Sequence, residues 1–165
     1  MVAIVAALHE EVYELLKHLT FTRTNKVAHY RGELAGRSIA LYLCGPKASR
    51  KSQFNKFLSL YNFRAVVNVG FAGALKHGYH LGDVIEVQKL RGWAMGPVQL
   101  SSKPGPVLFT HTKLTKSLEE KKELATLFTA DLIDMEAAIL YKLITSKSEK
   151  LGLRVIKNVG DFPEY

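Results

Sequence analysis

The segment from residue 64 to residue 88 constrains the fold more than any other part of this chain of 165 residues. An apolar run rich in β-branched side chains ends at Val69, residues 70–73 read Gly-Phe-Ala-Gly, and a second apolar run starts at Val84. This pattern predicts a strand, a glycine turn and a second strand. Because glycine has no Cβ, a ligand can approach its backbone closely, and ligands of open α/β sheets bind at the carboxyl ends of strands. The alternative is that these glycines only shape a turn.

The rest of the chain alternates between strand-like and helix-like patterns. Residues 2–7 are apolar without a break, as in a strand that is covered on both faces. Residues 10–19 have apolar side chains at the spacing of a helix, namely Val12, Leu15, Leu16 and Leu19. The alternation predicts one α/β domain over residues 1–165, with a central mixed β-sheet flanked by helices. Glycines and prolines interrupt both the helical and the strand periodicity of apolar residues in residues 89–106, and we expect a loop there.

Basic residues outnumber acidic ones by 23 to 15, which gives a formal net charge of +8. Binding of nucleic acid requires positive charge that clusters on one face. Lys47, Arg50 and Lys51 form one small group, whereas the other lysines, Lys121 and Lys122 among them, are spread along the chain and are interpreted as solvated. We therefore expect no nucleic-acid partner.

Cys44 is the single cysteine of the chain, so no internal disulfide can form, which is typical of a reducing compartment. No apolar run approaches the roughly 20 residues that a membrane span needs. The apolar opening is short and has no basic leader, which argues against a signal peptide. These features predict a cytoplasmic protein without a membrane partner.

Four motifs occur in the order found in one known family. They are the strand at residues 2–7 that leads to Leu-His-Glu-Glu at 8–11, the segment VNVGFAGAL at 67–75 with LGDV at 81–84, Asp-Met-Glu-Ala at 134–137, and Asn-Val-Gly-Asp at 158–161. Together they resemble the nucleoside phosphorylase and nucleosidase superfamily, most of all its methylthioadenosine/S-adenosylhomocysteine nucleosidase and futalosine hydrolase branch. The resemblance implies a nucleoside phosphorylase-like fold and a nucleoside site beside the glycines.

The resemblance also implies roles for three acidic residues. Cleavage of an N-glycosidic bond leaves positive charge on the ribose and negative charge on the base, and two carboxylates can divide the work as they do in glycosidases. Asp161 matches the family's general acid, Glu11 matches the residue that activates water, and Glu136 matches the residue that binds the ribose hydroxyls. A carboxyl group that donates a proton near neutral pH must first retain it, which burial favours, so we expect Asp161 to be buried.

Further site residues follow from the same resemblance. Met135 is expected to pack beneath the sugar, Gly73 to line the nucleoside site and Cys44 to make an apolar contact near the base and the 5′ substituent. The segment around Leu114 matches residues that contact the base. Phe71 stands where these nucleosidases place a small serine beside the ribose.

Two further features depart from the family pattern. Gly160 replaces the residue, commonly serine, that precedes the acid. The sequence ends four residues after Asp161, where relatives continue into a loop and a final helix, so we expect a fold without that C-terminal helix. The sequence is then either a truncated or incompletely ordered chain or a member of a reduced branch.

Water is the expected nucleophile. A phosphate site needs backbone N–H groups and arginine near the end of the first strand, but the chain has His9, Glu10 and Glu11 there. At about 4 Å and an effective dielectric near 20, a carboxylate repels each phosphate charge by about 4 kcal/mol. Together with the resemblance, this predicts a purine nucleoside N-ribohydrolase that cleaves a 5′-modified nucleoside of the methylthioadenosine/S-adenosylhomocysteine type with water and needs no cofactor and no metal. The resemblance also implies a homodimer. The alternatives are a futalosine or aminofutalosine hydrolase of menaquinone synthesis, a purine nucleoside phosphorylase and a non-catalytic nucleoside-binding relative.

Overall fold

The computed structural model describes residues 1–115 and 117–161, and in them the predicted mixed β-sheet with flanking helices is present. The strands are β1 Val2–Ala6, β2 Thr20–Thr24, β3 Val27–Leu34, β4 Arg37–Leu43, β5 Ala65–Ala74, β6 Val84–Glu86, β7 Lys89–Gly92, β8 Met95–Gln99, β9 Val107–Thr110, β10 Leu132–Asp134 and β11 Gly152–Asp161. The α-helices are α1 Tyr13–Leu16, α2 Lys51–Leu58, α3 Leu118–Phe128 and α4 Ala137–Lys147.

The chain packs into two compact units. The first consists of Met1–Gly70 and Leu140–Arg154, and the second of Phe71–Ile139 and the described residues from Val155 onward. The division falls inside β5, α4 and β11, so each of these elements contributes residues to both units. That residues 1–165 form a single domain remains a prediction.

In the first unit, β1 is the strand around which the others are arranged. It pairs in parallel with β4 on one side and with β5 on the other, while β2, β3 and β4 pair in antiparallel fashion. Four successive β1 residues are buried, namely Ala3, Ile4, Val5 and Ala6. The prediction of a strand covered on both faces is therefore confirmed.

The alternation of side chains along β4 brings helices to both of its faces. Leu41 belongs to a buried cluster with Leu16 of α1. The next residue, Tyr42, points to the opposite face, where its ring stacks on Phe54 and Phe57 of α2 at centroid distances of 5.9 and 5.0 Å. The spacing of Phe54, Phe57, Leu58 and Tyr61 in the sequence predicts a helix after Pro46 with aromatic residues in the core. The structure confirms this helix and the burial of Phe54 and Phe57.

The core of the first unit contains one buried histidine, His29. The carbonyl oxygen of Val27 can only accept, so Nδ1–H of His29 donates to it at 3.1 Å. Nε2 then accepts from the hydroxyl group of Tyr61 at 2.7 Å. The pKa of His29 is lowered, and burial is the largest cause. The charge of Arg31 also lowers this pKa, whereas the hydrogen bond to Val27 raises it. The neutral ring is the form that fits these partners.

The second unit has its own set of strand pairings and its own buried cluster. Within it, β10 pairs antiparallel with β5 and parallel with β9, β7 pairs parallel with β9 and antiparallel with β8, and β11 pairs antiparallel with β6. Leu124 of α3 packs on these strands in a cluster with Leu75, Phe109 and Ile133. As its spacing predicts, Ser117 caps α3, its hydroxyl oxygen accepting from the amide of Glu120 at 3.1 Å.

Three local expectations are wrong. The predicted glycine turn at residues 70–73 is absent, because β5 continues through it from Ala65 to Ala74. The predicted loop at residues 89–106 contains β7 and β8, whose pairing with each other and with β9 outweighs their glycine and proline content. The helix predicted for residues 10–19 is a 3-10 turn, Glu10–Val12, followed by the single turn of α1, since β2 begins at Thr20.

No helix in the described ranges combines the length and the apolar character that crossing a bilayer requires. The expected absence of the family's C-terminal helix concerns residues after Asp161, which lie outside the described residues.

The lowered pKa of His29 predicts how stability depends on pH. The unfolded chain binds a proton at this residue more readily than the folded chain, so the contribution of His29 is complete above its usual pKa of 6.5 and is lost as the pH falls below it. Urea unfolding between about pH 7.5 and pH 5.5 should therefore show a larger loss of stability for the wild type than for His29→Gln. Equal losses in both chains would contradict this assignment.

Candidate active site

Glu11 is held at the carboxyl end of β1 by the backbone of the segment that precedes it. The 3-10 turn Glu10–Val12 folds its side chain back toward the strand. Oε2 accepts hydrogen bonds from the amides of Ala7 at 2.7 Å and Leu8 at 2.9 Å. Two charge-assisted hydrogen bonds from the backbone fix the position of this carboxylate.

Gly70 provides the space for the Glu11 carboxylate. A Cβ atom on Gly70 would lie 2.6 Å from Oε1 and 3.0 Å from the carboxyl carbon of Glu11. Contacts this short do not occur between real atoms, so any side chain at position 70 would displace the carboxylate. Gly70 therefore lies in a continuous strand and not in the predicted turn, and its lack of a side chain lets the Glu11 carboxylate approach the backbone closely.

Cys44 lies in the same unit, next to the end of β1. Its amide donates to the carbonyl oxygen of Ala6 at 2.8 Å, and the amide of Gly45 donates to that of Ala7 at 3.1 Å. The Cys44 side chain is completely buried, and Gly45 adopts a positive φ of 73°. The first unit thus brings Glu11, Gly70 and Cys44 to one strand end, whereas the role of Cys44 as a substrate contact stays a prediction.

Asp161 lies at the end of β11 in the second unit, and the expectation that it is buried is wrong. Its side chain is 58% exposed, and Oδ2 forms an ion pair with Nζ of Lys121 at 2.7 Å. Oδ2 also lies 3.6 Å from the position that a Cβ atom on Gly73 would occupy. A buried ammonium group, rather than an apolar pocket, is therefore the main neighbour of this carboxylate.

The two departures from the family pattern occupy the same place. A Cβ atom on Gly160 would lie 3.2 Å from Cδ1 of Phe71 and 3.5 Å from its Cβ and Cγ. Phe71 is 47% exposed, so its ring covers Gly160 and also faces solvent. A serine at position 160 would bring its Cβ into tight contact with this ring, which would have to shift by a few tenths of an ångström, so Gly160 accommodates the bulky residue 71.

Met135 and Glu136 lie between β10 and α4, next to a buried polar network. Nζ of Lys157 forms an ion pair with Oδ2 of Asp134 at 2.8 Å, and both side chains are at most 1% exposed. Oδ1 of Asp134 accepts from the hydroxyl group of Thr110 at 2.6 Å, and Oδ2 accepts from the amide of Ala137 at 3.0 Å.

This network fixes the start of α4 beside the two predicted sugar contacts. Glu136 is buried and Met135 is half-buried.

The segment after β9 contains Leu114, which is predicted to contact the base. Leu114 is 66% exposed. His111, three residues earlier, is buried and accepts at Nδ1 from Nε1–H of Trp93 at 2.8 Å. Trp93, Phe109 and Phe128 pack together with this ring. The predicted contact of Leu114 with the base stays a prediction.

The predictions from sequence did not include two buried lysines, although the periodicity of the sequence indicates that each faces inward. Lys121 follows Leu118 by three residues and precedes Leu124 by three, so the helical period puts it on the buried face of α3. Lys157 stands between Val155 and Val159, at an inward position of the alternation in β11. The structure confirms both positions, and the interpretation of Lys121 as a solvated surface lysine is wrong.

Within residues 1–115 and 117–161, no three His, Cys, Asp or Glu side chains cluster closely enough to hold a metal ion.

The contact between Gly70 and Glu11 can be tested by substitution. Gly70→Ala should destabilise the chain by about 1–3 kcal/mol, because its methyl group overlaps the fixed carboxylate. Gly96→Ala in β8 is the matched control, since a Cβ atom there has open space around it, and its effect should stay within about 0.5 kcal/mol. Urea unfolding of both variants measures the difference, and equal stabilities would count against the contact.

The buried pair Lys157–Asp134 predicts strong coupling between its members. Lys157→Met and Asp134→Asn should each cost about 3–5 kcal/mol, because each leaves the partner buried without its counter-charge. The double variant should cost less than the sum of the two.

Lys76→Met serves as the control for this pair, since the Lys76–Asp131 ion pair is half exposed on its lysine side and should be worth at most about 1 kcal/mol. Additive losses in urea unfolding would contradict the coupling.

Comparison with known proteins places these observations in a family. Over 89 residues the chain is 28% identical to the 5'-methylthioadenosine/S-adenosylhomocysteine nucleosidase of Staphylococcus carnosus, a match that covers 52% of this chain and 39% of the relative. The matched part thus spans well under two thirds of the length of this curated relative.

Solved structures show the same fold at low sequence identity. The nucleosidase of the same name from Campylobacter jejuni has a TM-score of 0.82 at 16% identity, covering 99% of this chain and 86% of that one. Futalosine hydrolase of Helicobacter pylori has a TM-score of 0.80 at 14% identity, covering 97% and 87%. Residues 1–91, more than half of the 165, match the family described as the phosphorylase superfamily. The chain therefore belongs to the phosphorylase superfamily.

Proposed function

We propose that this chain is a purine nucleoside N-ribohydrolase, which uses water to cleave the N-glycosidic bond of a 5′-modified nucleoside of the methylthioadenosine/S-adenosylhomocysteine type. Family membership supports a reaction at the glycosidic bond of a nucleoside. The names of the curated relative and of the Campylobacter jejuni structure support a nucleosidase. A homodimer in the cytoplasm, without a nucleic-acid partner, is part of the same proposal.

The hydrogen bonds of Glu11 are the observation that carries the choice of water. Backbone amides at a strand end are the groups that would hold a phosphate nucleophile. Here the amides of Ala7 and Leu8 already donate to Glu11. A phosphate would have to displace this carboxylate and would also be repelled by it. A nucleoside phosphorylase is therefore disfavoured, whereas a water molecule can be oriented and deprotonated by the same carboxylate.

The proposed reaction assigns one proton transfer to each of two acids. Glu11 takes a proton from water as the water oxygen bonds to C1′ of the ribose. The bond between C1′ and the base nitrogen breaks, and its electron pair leaves with the base. Asp161 donates a proton to the base, which departs neutral. Both acids return to their starting forms by proton exchange with solvent.

The remaining predicted residues would bind the substrate. Glu136 would accept hydrogen bonds from the ribose hydroxyls and stabilise positive charge on the sugar in the transition state. Met135 would pack against the sugar, Cys44 and Leu114 would contact the base, and Gly73 would line the nucleoside site.

Phe71, which stands where relatives have serine, would change the shape of the pocket beside the ribose. That change is the observation that keeps a futalosine or aminofutalosine hydrolase as the second candidate, because the two classes of substrate differ in their 5′ group. A non-catalytic nucleoside-binding protein is the remaining alternative. A protein that only binds nucleosides would not require a proton donor, and Asp161 is proposed to be one.

Release of free base from a set of nucleosides tests the proposal. Methylthioadenosine, S-adenosylhomocysteine, aminofutalosine, futalosine and inosine would each be incubated with the chain, with and without phosphate. We expect release that does not depend on phosphate and that falls by about 10²–10⁴-fold in Glu11→Gln and in Asp161→Asn. Glu10→Gln is the matched control, because Glu10 is an exposed neighbour of Glu11.

The pattern of results separates the candidates. Release that requires phosphate would identify a phosphorylase, and release from futalosine or aminofutalosine alone would identify the second candidate. Binding of substrate analogues without release from any nucleoside would favour the non-catalytic alternative.

A further inference from the structure

Lys121 is a buried cation that the proposed reaction does not yet use. It lies in the first half of α3 and is 4% exposed. Its Nζ lies 2.7 Å from Oδ2 of Asp161, so the two groups form a charge-assisted hydrogen bond. A lysine ammonium group is almost never fully buried unless it is paired. The burial of Lys121 therefore depends on the Asp161 carboxylate.

The helix that carries Lys121 is well anchored. Ser117 caps its N-terminus through the amide of Glu120 at 3.1 Å, and the amide of Lys121 donates to the carbonyl oxygen of Ser117 at 3.1 Å. Three residues after Lys121, Leu124 is buried in the core cluster of the second unit. Because the start of α3 is fixed in this way, the ammonium group is presented from a rigid element.

Within the described residues, the Asp161 side chain is held by its hydrogen bond to Lys121. Asp161 is the last residue of β11, and its side chain is 58% exposed. The neighbouring strand segment, residues 71–74 of β5, contributes Phe71 and Gly73 and carries no charged side chain. In the described part of the chain, Lys121 is the hydrogen-bond donor to this carboxylate and takes Oδ2. Oδ1 does not take part in this hydrogen bond.

We propose that Lys121 is a positioning residue for Asp161, which it holds by Oδ2 so that Oδ1 is the oxygen that carries the proton to the departing base. This inference rests on the proposed function, because it gives Asp161 the role of general acid. Lys121 keeps its own proton throughout and does not touch the substrate. Its contribution is to restrict an exposed carboxylate to one orientation, and misplacement of a catalytic group by about 1 Å can cost as much as 10²-fold in rate.

Four variants test the inference. Lys121→Met keeps the buried methylenes and removes the ammonium group, and Lys121→Arg keeps the charge. We expect Lys121→Met to lower kcat by about ten- to a hundredfold while KM changes less than about threefold, and Lys121→Arg to recover most of kcat. Lys121→Met combined with Asp161→Asn should be no slower than Asp161→Asn alone, because Lys121 acts through Asp161. Lys122→Met is the matched control, since Lys122 is the exposed next residue of the same helix, and its kcat should equal that of the wild type.

The outcomes separate this inference from the proposed function. Full base release by Asp161→Asn would overturn the proposed function and the inference together. Loss of release in Asp161→Asn with unchanged kcat in Lys121→Met would overturn the inference alone. A double variant that is slower than Asp161→Asn would show that Lys121 acts by another route, which also overturns it. Lys121→Gln is the second substitution should Lys121→Met not fold, and failure of both to fold would assign Lys121 to stability alone and overturn the positioning role.

Discussion

The close approach of the Glu11 carboxylate to Gly70 of β5 is the constraint on which the position of this candidate catalytic acid depends. In the first unit, the Glu11 carboxylate occupies the space that a side chain of Gly70 would fill, with its Oε1 only 2.6 Å from the hypothetical Cβ. In the second unit, Asp161 lies 3.6 Å from the corresponding point on Gly73. A strand ordinarily loses stability when it contains glycine, because the backbone gains freedom in the unfolded state and no side chain packs. The strand is nevertheless continuous, and it pairs with β1 at residues 65–68 and with β10 at residues 73–74.

Buried lysines are the second physical theme of this chain. Lys157 is neutralised by Asp134 in an interior network that also fixes the start of α4. Lys121 is neutralised by a carboxylate that is itself exposed. In the first ion pair both side chains are inaccessible to solvent, so this pair stabilises the fold. In the second, the lysine is buried while the Asp161 carboxylate remains open to solvent.

Part of the fold could be predicted from local patterns, because those patterns record which side chains face inward. The apolar run of β1 and the aromatic spacing of α2 led to the correct elements. The hairpin of β7 and β8 could not be found in this way, since β7 is stabilised by pairing with β9, more than ten residues further on. The continuity of β5 through its glycines was missed for the same reason. A glycine in a local sequence motif does not reveal which distant side chain occupies the space beside it.

The sequence by itself determined the alternation of strands and helices, the family and the identity of the candidate acids. These follow from side-chain periodicity and from motifs that lie within a few residues of one another. Only the tertiary structure decided what surrounds each acid, namely backbone amides for Glu11 and an ammonium group for Asp161. The expected burial of Asp161 was wrong because burial and charge at a strand end are set by α3, which precedes Asp161 by more than thirty residues. Electrostatic neighbours arise from contacts between distant segments, and no local pattern in the chain encodes them.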